Sequence, residues 1–537
     1  MKSLRQSHRS PLSHSLLAGL AVSVSACLNL NAQENTATAP VIYPVTKTEL
    51  GPAPAPEKII AKAVSLIPGG CRAALIVTAG NQMQVVVEGK AGPPYDKVFD
   101  DSLHFSPDGQ RLAYAGKTGD QRFVSIDGAI SGPYDGVLKD SPVFSPDSKR
   151  VAYSFLKGGR QYVSLDGVIQ PPSDGVANDS LQFDPTSQRF AYVLVQNHLW
   201  QVMMDGHAGP EFADFSPTCG PIFSADGRHS AYLAFNPGHA VLVVDNDIKS
   251  LGDLRPFSLK YSSNQKYLSF IAKDNQGVFQ VYINDRAGPL QWGVLTGTPL
   301  YSPDGKHVFY AFWNAMAFQP VVDEVVGSFP ESDYEKLEPN SVAFSPDSKV
   351  LAFIGYHHGI LSRGSNELTG QTDAAFGSFT DDKYHLVTTQ VERPPEADFK
   401  SLVGVEDLPF DGHYVNDSLR FSPDSKRLAF IAENEGRQTL FINHESRPVD
   451  GIYLPDSLIL TGDSDVAYAA HNAIEQWVVM NGARGPAFAA IVAGPVARQD
   501  GQCEYLAIEK SGEAYKLVRV AASWPPLGTQ SNSTAKP

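Results

Sequence analysis

Cysteine is scarce, with four in 537 residues, too few to staple a chain of this length, so packing must hold the fold together. No stretch reaches the ~18 consecutive apolar residues that a spanning helix requires. Basic runs are missing too. With 43 Lys and Arg against 58 Asp and Glu the formal charge is -15, a sign that repels a phosphate backbone, so nucleic acid is not an expected partner. No G-x-S-x-G turn is present to hold a serine nucleophile. No Ser/His/Asp or Cys/His set can be assembled from spacing, and neither a catalytic residue nor a cofactor is expected.

What the chain has in excess is punctuation: 45 Gly and 39 Pro, too many for a helical protein and suited to a tight turn every eight to twelve residues. The turns recur. FSPDG at 105–109 returns as FSPDS at 144–148, FSADG at 223–227, YSPDG at 301–305, and FSPDS at 344–348 and 421–425, each followed by an aromatic-bearing apolar run. Anchors fall at Phe105, Phe144, Phe183, Phe223, Tyr261, Tyr301, Phe344, Phe379 and Phe421, weaker ones near Leu460 and Ala497, and a degenerate copy runs through Cys71. A period near 40 residues without helical stretches predicts an all-β propeller of about twelve four-stranded repeats. Twelve exceeds one ordinary ring, so two consecutive six-bladed propellers, 58–300 and 301–523, are expected, with one large closed ring as the alternative. The segment 41–60, whose ELGPAP is similar to ARGPAF at 483–488, is expected to complete the ring left open by the C-terminus.

Within a repeat, Pro107 fixes φ at a turn corner, Asp108 bonds the backbone beyond it and Gly109 takes a left-handed conformation. Ser148, Ser348 and Ser425 stand where Gly109 does and predict some strain. Pairs such as Ala113-Tyr114, Ala152-Tyr153 and Ala191-Tyr192 put a small residue on one strand face and a ring on the other. Stacked blades would mesh ring against alanine. The copy at 379–420, with TDDK at its turn and His385 in the small position, is the poorest.

The N-terminus reads as an export signal over 1–27: Lys2, Arg5 and Arg9 precede an apolar core, Leu16 to Ala26, too short to span a bilayer. Val24-Ser25-Ala26-Cys27 resembles the lipobox of bacterial lipoproteins, which implies lipidation at Cys27, with cleavage after Ala32 as the alternative. The Ala/Pro/Thr-rich 28–57 would be a tether and 524–537 a disordered tail. An aromatic, Ser-Pro-Asp-Gly, a basic residue and Leu-Ala-Tyr together resemble the TolB-type, WD-repeat-like propeller repeat of bacterial envelope proteins, over about 60–520. The resemblance implies the propeller fold and an envelope setting, periplasm or outer membrane. TolB-like proteins have a separate α/β domain before the propeller, absent here, so a Tol-Pal role is not implied.

Asp101, Asp140, Asp179, Asp417 and Asp456 each precede a Ser expected to begin the innermost strand of a blade. They are the candidate channel-mouth binding residues, either as an acidic funnel or as carboxylates that bond loop backbone. Cys71 and Cys503 occupy similar places in the first and last repeats and suggest either a bridge or two buried thiols. Asp245-Asn246-Asp247 and Asp463-Ser464-Asp465 space oxygens as calcium loops do but lack the Gly and distal Glu. His357-His358 would face opposite sides of a strand, and no metal is expected. The function expected is non-catalytic binding or scaffolding in the bacterial envelope, with a protein or glycan partner and membrane contact only through lipid. The alternative is a propeller enzyme acting on polysaccharide, of lyase or glycosidase type.

Overall fold

The computed structural model describes residues 43–526, apart from 68–69, 140, 216–219, 285, 296, 314–317, 324, 327–335, 358–382, 391–402 and 463. The signal and lipobox with Cys27, together with Asp140, Cys219, His358, Phe379 and Asp463, lie outside the described residues. Eleven antiparallel sheets follow one another along the chain. Blades one to eleven span 59–91, 97–134, 136–169, 175–212, 214–252, 255–287, 293–326, 336–410, 413–448, 452–484 and 490–523. Helical segments among the described residues are single 3-10 turns such as Pro56–Lys58 and Asp100–Ser102. No helix among them is long and apolar enough to cross a membrane.

The fold is a β-propeller of eleven blades in one ring, the larger of the two arrangements expected. Two rings parting near residue 300 would require blade six to close on blade one. Instead Ile271 and Val281 of blade six are buried with Tyr310 and Phe312 of blade seven, and Leu75 and Val77 of blade one with Leu506 and Ile508 of blade eleven. Every neighbouring pair shares such a cluster, for example Ala152 with Tyr192 across blades three and four and Ala352 with Phe430 across eight and nine. The expected mesh of ring against alanine is what these contacts contain. Burying each ring contributes roughly 1.5 to 3 kcal/mol, available only when a neighbour is present.

Eleven blades replace the expected twelve because the copy placed at 379–420 is not a repeat. Lys383–Gln390 pairs with Val350–His357, and Val403–Phe410 pairs with Lys383–Gln390, so these are the third and fourth strands of blade eight. His385 stands opposite Gly355 within that sheet. A long connection at 358–382 had separated the two halves of one blade and imitated a boundary.

The last blade borrows its outer strand. Thr46–Ala53 pairs antiparallel with Ala514–Ser523, so the segment expected to complete the ring does so. Lys47 meets Glu509 at 2.5 Å and Lys516 meets Glu49 at 2.9 Å across this joint. Gly51 and Gly89 let the closing strand rest on blade one: a Cβ built on Gly89 would lie 2.7 Å from the Gly51 Cα, with φ positive at both.

Candidate functional site

First strands of neighbouring blades touch, as 59–67 touches 104–105 and 490–497, 222–223 touches 255–261, and 459–460 touches 420–421 and 490–497, which places these strands at the centre of the ring. In eight blades the strand is broken into two short pieces lying on one partner. Lys97–Val98 and His104–Phe105 both pair with Leu112–Thr118. The Asp-Ser motif lies in this break rather than at a strand start, and Gly136–Val137 is the first piece of blade three.

A break leaves a backbone N–H of the second strand unpaired, and burying it so would be costly. The repeated Ser supplies the partner. Ser102 Oγ accepts from Ala115 N at 2.7 Å and donates to Phe99 O at 2.6 Å. Ser418 does the same with Ile431 N at 2.9 Å and Val415 O at 2.6 Å, and Ser457 with Ala469 N at 3.0 Å and Leu454 O at 2.5 Å. These hydroxyls are buried and belong to the scaffold.

The carboxylates beside them point elsewhere. Asp179 and Asp456 are exposed, Asp101 and Asp417 half-buried. Asp179, Asp417 and Asp456 adopt left-handed φ of 57°, 60° and 60°, a conformation aspartate tolerates in turns. The Asp101 carbonyl bonds His104 Nε2 at 2.9 Å, and Asp456 pairs with Arg420 of the preceding blade at 3.2 Å. They stand in blades two, four, nine and ten and form a repeated set at the inner rim.

A second repeated device, not anticipated from the sequence, links blades two, three and four each to the next at the Ser-Pro-Asp turn. Arg111 Nε pairs with Asp127 at 2.8 Å, while its Nη1 donates to Ser148 O at 3.2 Å and Lys149 O at 2.8 Å in the following blade. Its guanidinium lies over the Phe144 ring at 5.1 Å. Arg150 and Arg189 repeat this on Phe183 and Phe223, so the anchor aromatic of one repeat is the stacking surface for the arginine of the one before. The other Asp127 oxygen accepts from Leu112 N at 3.0 Å, which explains the Ile-Asp-Gly turns. Asp245, placed above in a calcium-like spacing, fills this role with Ser230 N at 2.8 Å and His229 Nδ1 at 2.5 Å.

At the seam between blades eleven and one lies a group the repeat does not contain. Glu504 is fully buried at the strand position where seven other blades carry alanine, from Ala113 to Ala467. Its carboxylate contacts Arg498 at 2.5 Å and Arg519 at 3.5 Å and accepts from Cys71 N of blade one at 2.7 Å. Cys71 and Cys503 are free, buried thiols, so the bridge did not form, and burial pushes the Cys71 thiol up to about 12. Neither is a poised nucleophile.

Between blades three and four the inner rim opens into a cavity of about 220 Å³ lined by Leu138, Lys139, Ser141, Ser154, Asp179 and Gln182 among others. Among the described residues, Asp179 is the one candidate in its walls.

No protein-family model and no curated protein matches the sequence. Solved structures do. A eukaryotic initiation factor is 13% identical with a TM-score of 0.35, covering 71% of this chain and 96% of that one. The β-propeller domain of the Trilobed protease from Pyrococcus furiosus is 9% identical with a TM-score of 0.27, covering 58% and 97%. TolB from Acinetobacter baumannii is 14% identical with a TM-score of 0.21, covering 63% and 79%.

Proposed function

We propose that this chain is a non-catalytic binding or scaffolding propeller of the bacterial cell envelope, exported and lipid-anchored at Cys27, that holds a protein or glycan partner on the inner rim and blade loops. One observation carries the reading: at the inner rim the repeated serines are bonded to backbone, and beside them stand carboxylates dispersed over separate blades. Acid-base or nucleophilic catalysis needs unlike groups converging on one point, as paired carboxylates flanking one bond do in glycosidases. A rim of similar, spaced groups suits attachment of an extended partner instead.

The full chain, incubated with a panel of envelope polysaccharides, is expected to retain at least one of them or a protein partner without producing new reducing or unsaturated ends. Appearance of such ends would establish the polysaccharide-cleaving alternative. Cys27→Ser is expected to move the protein from the detergent phase to the soluble fraction, and unchanged partitioning would remove the lipid anchor from the proposal.

A further inference from the structure

An eleven-fold repeat supplies its own controls, because a residue that departs from the pattern can be compared with its counterparts in other blades. Phe257 and Trp292 are the exposed phenylalanine and tryptophan among the described residues, at 39% and 67%, and both stand where other blades carry aspartate. The residue before the break Ser is Asp101, Asp140, Asp179, Asp417 and Asp456 in five blades. In blade six, where Ser258 Oγ accepts from Ile271 N at 3.2 Å, it is Phe257. The residue before the first strand piece is Asp96, Asp135 and Asp174 in blades two to four. Each donates its N–H to the second strand, at Lys117 O, Leu156 O and Val195 O, while its carboxylate accepts from the hairpin at Gly119, Gly158 and Asn197 N. Trp292 makes the same backbone bond, to Trp313 O at 3.2 Å. Blades five, nine and ten have Ala213, Gly412 and Gly451 there, so neither place holds a large ring in these other blades.

Phe279 links the two departures. Phe257 touches its ring edge-on at 5.8 Å, and Gln291, the neighbour of Trp292, exchanges backbone bonds with it at 2.7 and 2.9 Å. Lys273 Nζ lies over the Phe279 ring at 5.0 Å, and Arg255 is the direct partner of Lys273 across the strands. Two cations so placed repel, and neither joins an ion pair among the described residues. Of the acids nearest in sequence, Asp253 is exposed, and Asp274 bonds Gln276 N and Val278 N of its own turn. Blade two also sets Lys97 opposite Lys117, but Asp96 and Asp101 stand beside that pair, where blade six has Leu254 and Phe257. Exposed rings next to unpaired cations are a cost to the free protein. A partner that covers the rings and neutralises the cations removes it.

We propose that the junction of blades six and seven binds an acidic sugar of an extended glycan, its carboxylate at Arg255 and Lys273 and its chain laid across Phe257 and Trp292; this rests on the reading of the chain as a glycan-binding propeller. A pyranose fits both halves of the patch. Its C–H groups suit the electron-rich face of an aromatic ring, and a carboxylate on its edge suits a guanidinium. An acidic peptide carries its carboxylates on flexible stems and offers no flat face to the rings. Polyphosphate is repelled by the formal charge of -15, a field that a glycan with widely spaced carboxylates feels less. Arg255 is exposed, so salt weakens the ionic part and the rings set most of the affinity.

The test is calorimetry on the full chain with two acidic glycans, a hyaluronan oligosaccharide and sialyllactose, beside a neutral chitin oligosaccharide, poly-L-glutamate and oligothymidylate. At least one acidic glycan is expected to bind saturably, about tenfold or more tighter than the other three probes, and to weaken as salt rises. Trp292→Asp and Phe257→Asp, which install the residues of other blades, are each expected to lower that affinity about tenfold or more with an unchanged melting temperature. Trp292→Phe should keep most of it, and Arg255→Ser should reduce the salt dependence. Absence of binding by both acidic glycans, equal binding of any of the other three probes, or affinity unaltered by Trp292→Asp would each overturn the assignment. If a neutral polysaccharide is retained while both acidic glycans fail, only this site falls. If an acidic glycan binds through Trp292 and is cleaved, the site stands and the non-catalytic reading fails.

Discussion

Serine at the fourth turn position was expected to be strained, and the backbone shows what it gains. Ser148 takes a φ of 67°, and its Oγ accepts from Asp108 N of the preceding blade at 2.9 Å, a bond glycine has no atom to make. Ser187, Ser348 and Ser425 repeat it. The strain of about 1 kcal/mol is offset by a hydrogen bond of similar worth, and that trade is invisible in a sequence because the partner lies one repeat away. The turn carboxyls also respond to pH. Hydrogen bonds from Ser106, Ser145 and Ser345 hold Asp108, Asp147 and Asp347 below the usual carboxylate range, Asp147 down to about 2. A depressed folded-state value means stability that is complete above the unfolded aspartate value near ~4 and is lost as pH falls toward ~2. Acid unfolding followed by circular dichroism should therefore begin in that window, and Ser145→Ala should shift its midpoint to higher pH. Glu504 offers the sharper residue-level prediction. Its replacement by Ala strands Cys71 N and two arginines, so a loss of about 3 to 5 kcal/mol is expected by denaturant titration, whereas Glu504→Gln keeps the acceptor and should lose less. Sequence reasoning passed over Glu504 because an acidic residue in a turn-rich, acidic chain looks like surface.

At the level of the element, strand content and turn chemistry were legible because each depends on residues within about ten positions of one another: Pro107 and Gly109 for the turn, Ala113-Tyr114 for the two faces. The break in the first strand was not legible. Its cause is the pairing of Lys97–Val98 and His104–Phe105 with one partner, and the Asp-Ser between them looks the same at a strand start as at an interruption. Packing accounts for the glycine of the Gly-Pro that follows the outer strand: a Cβ on Gly92 would lie 3.2 Å from the Tyr114 hydroxyl of the next blade, and one on Gly288 3.1 Å from that of Tyr310. The arginine link gives a prediction specific to neighbours. Arg111→Ala removes charge-assisted bonds to Ser148 and Lys149 and the cover of Phe144, at about 1 to 3 kcal/mol. Hydrogen exchange should quicken in the 144–150 turn of blade three and remain as before in blades seven to ten. Uniform acceleration around the ring would mean that the blades do not behave as nearest-neighbour units.

For the molecule as a whole, closure is the property on which the inner rim depends, since a cavity between blades three and four keeps its width only while the ring cannot spread. The need for a closing strand was readable from the likeness of ELGPAP to ARGPAF, yet the number of blades was not, because the 358–382 connection lengthens one blade to nearly the span of two. The seam is held by Thr46–Ala53 on Ala514–Ser523, by the cluster joining Leu75 to Leu506, and by Glu504 with Cys71. None of these joins residues close in sequence, so each costs loop-closure entropy over almost the entire chain. They should form late in folding and open first. Gly89 is the point of leverage: its φ is 77° and a Cβ there would strike Gly51 of the closing strand. Gly89→Val should displace that strand while leaving the ten uninterrupted blades folded. The expected outcome is proteolytic cleavage within 43–57, a larger radius of gyration by small-angle scattering, and a thermal transition that starts earlier and spreads over a wider range. A variant as compact and as protease-resistant as the parent would mean that the ring holds without its borrowed strand, and that the apolar contact between the first and last blades suffices on its own.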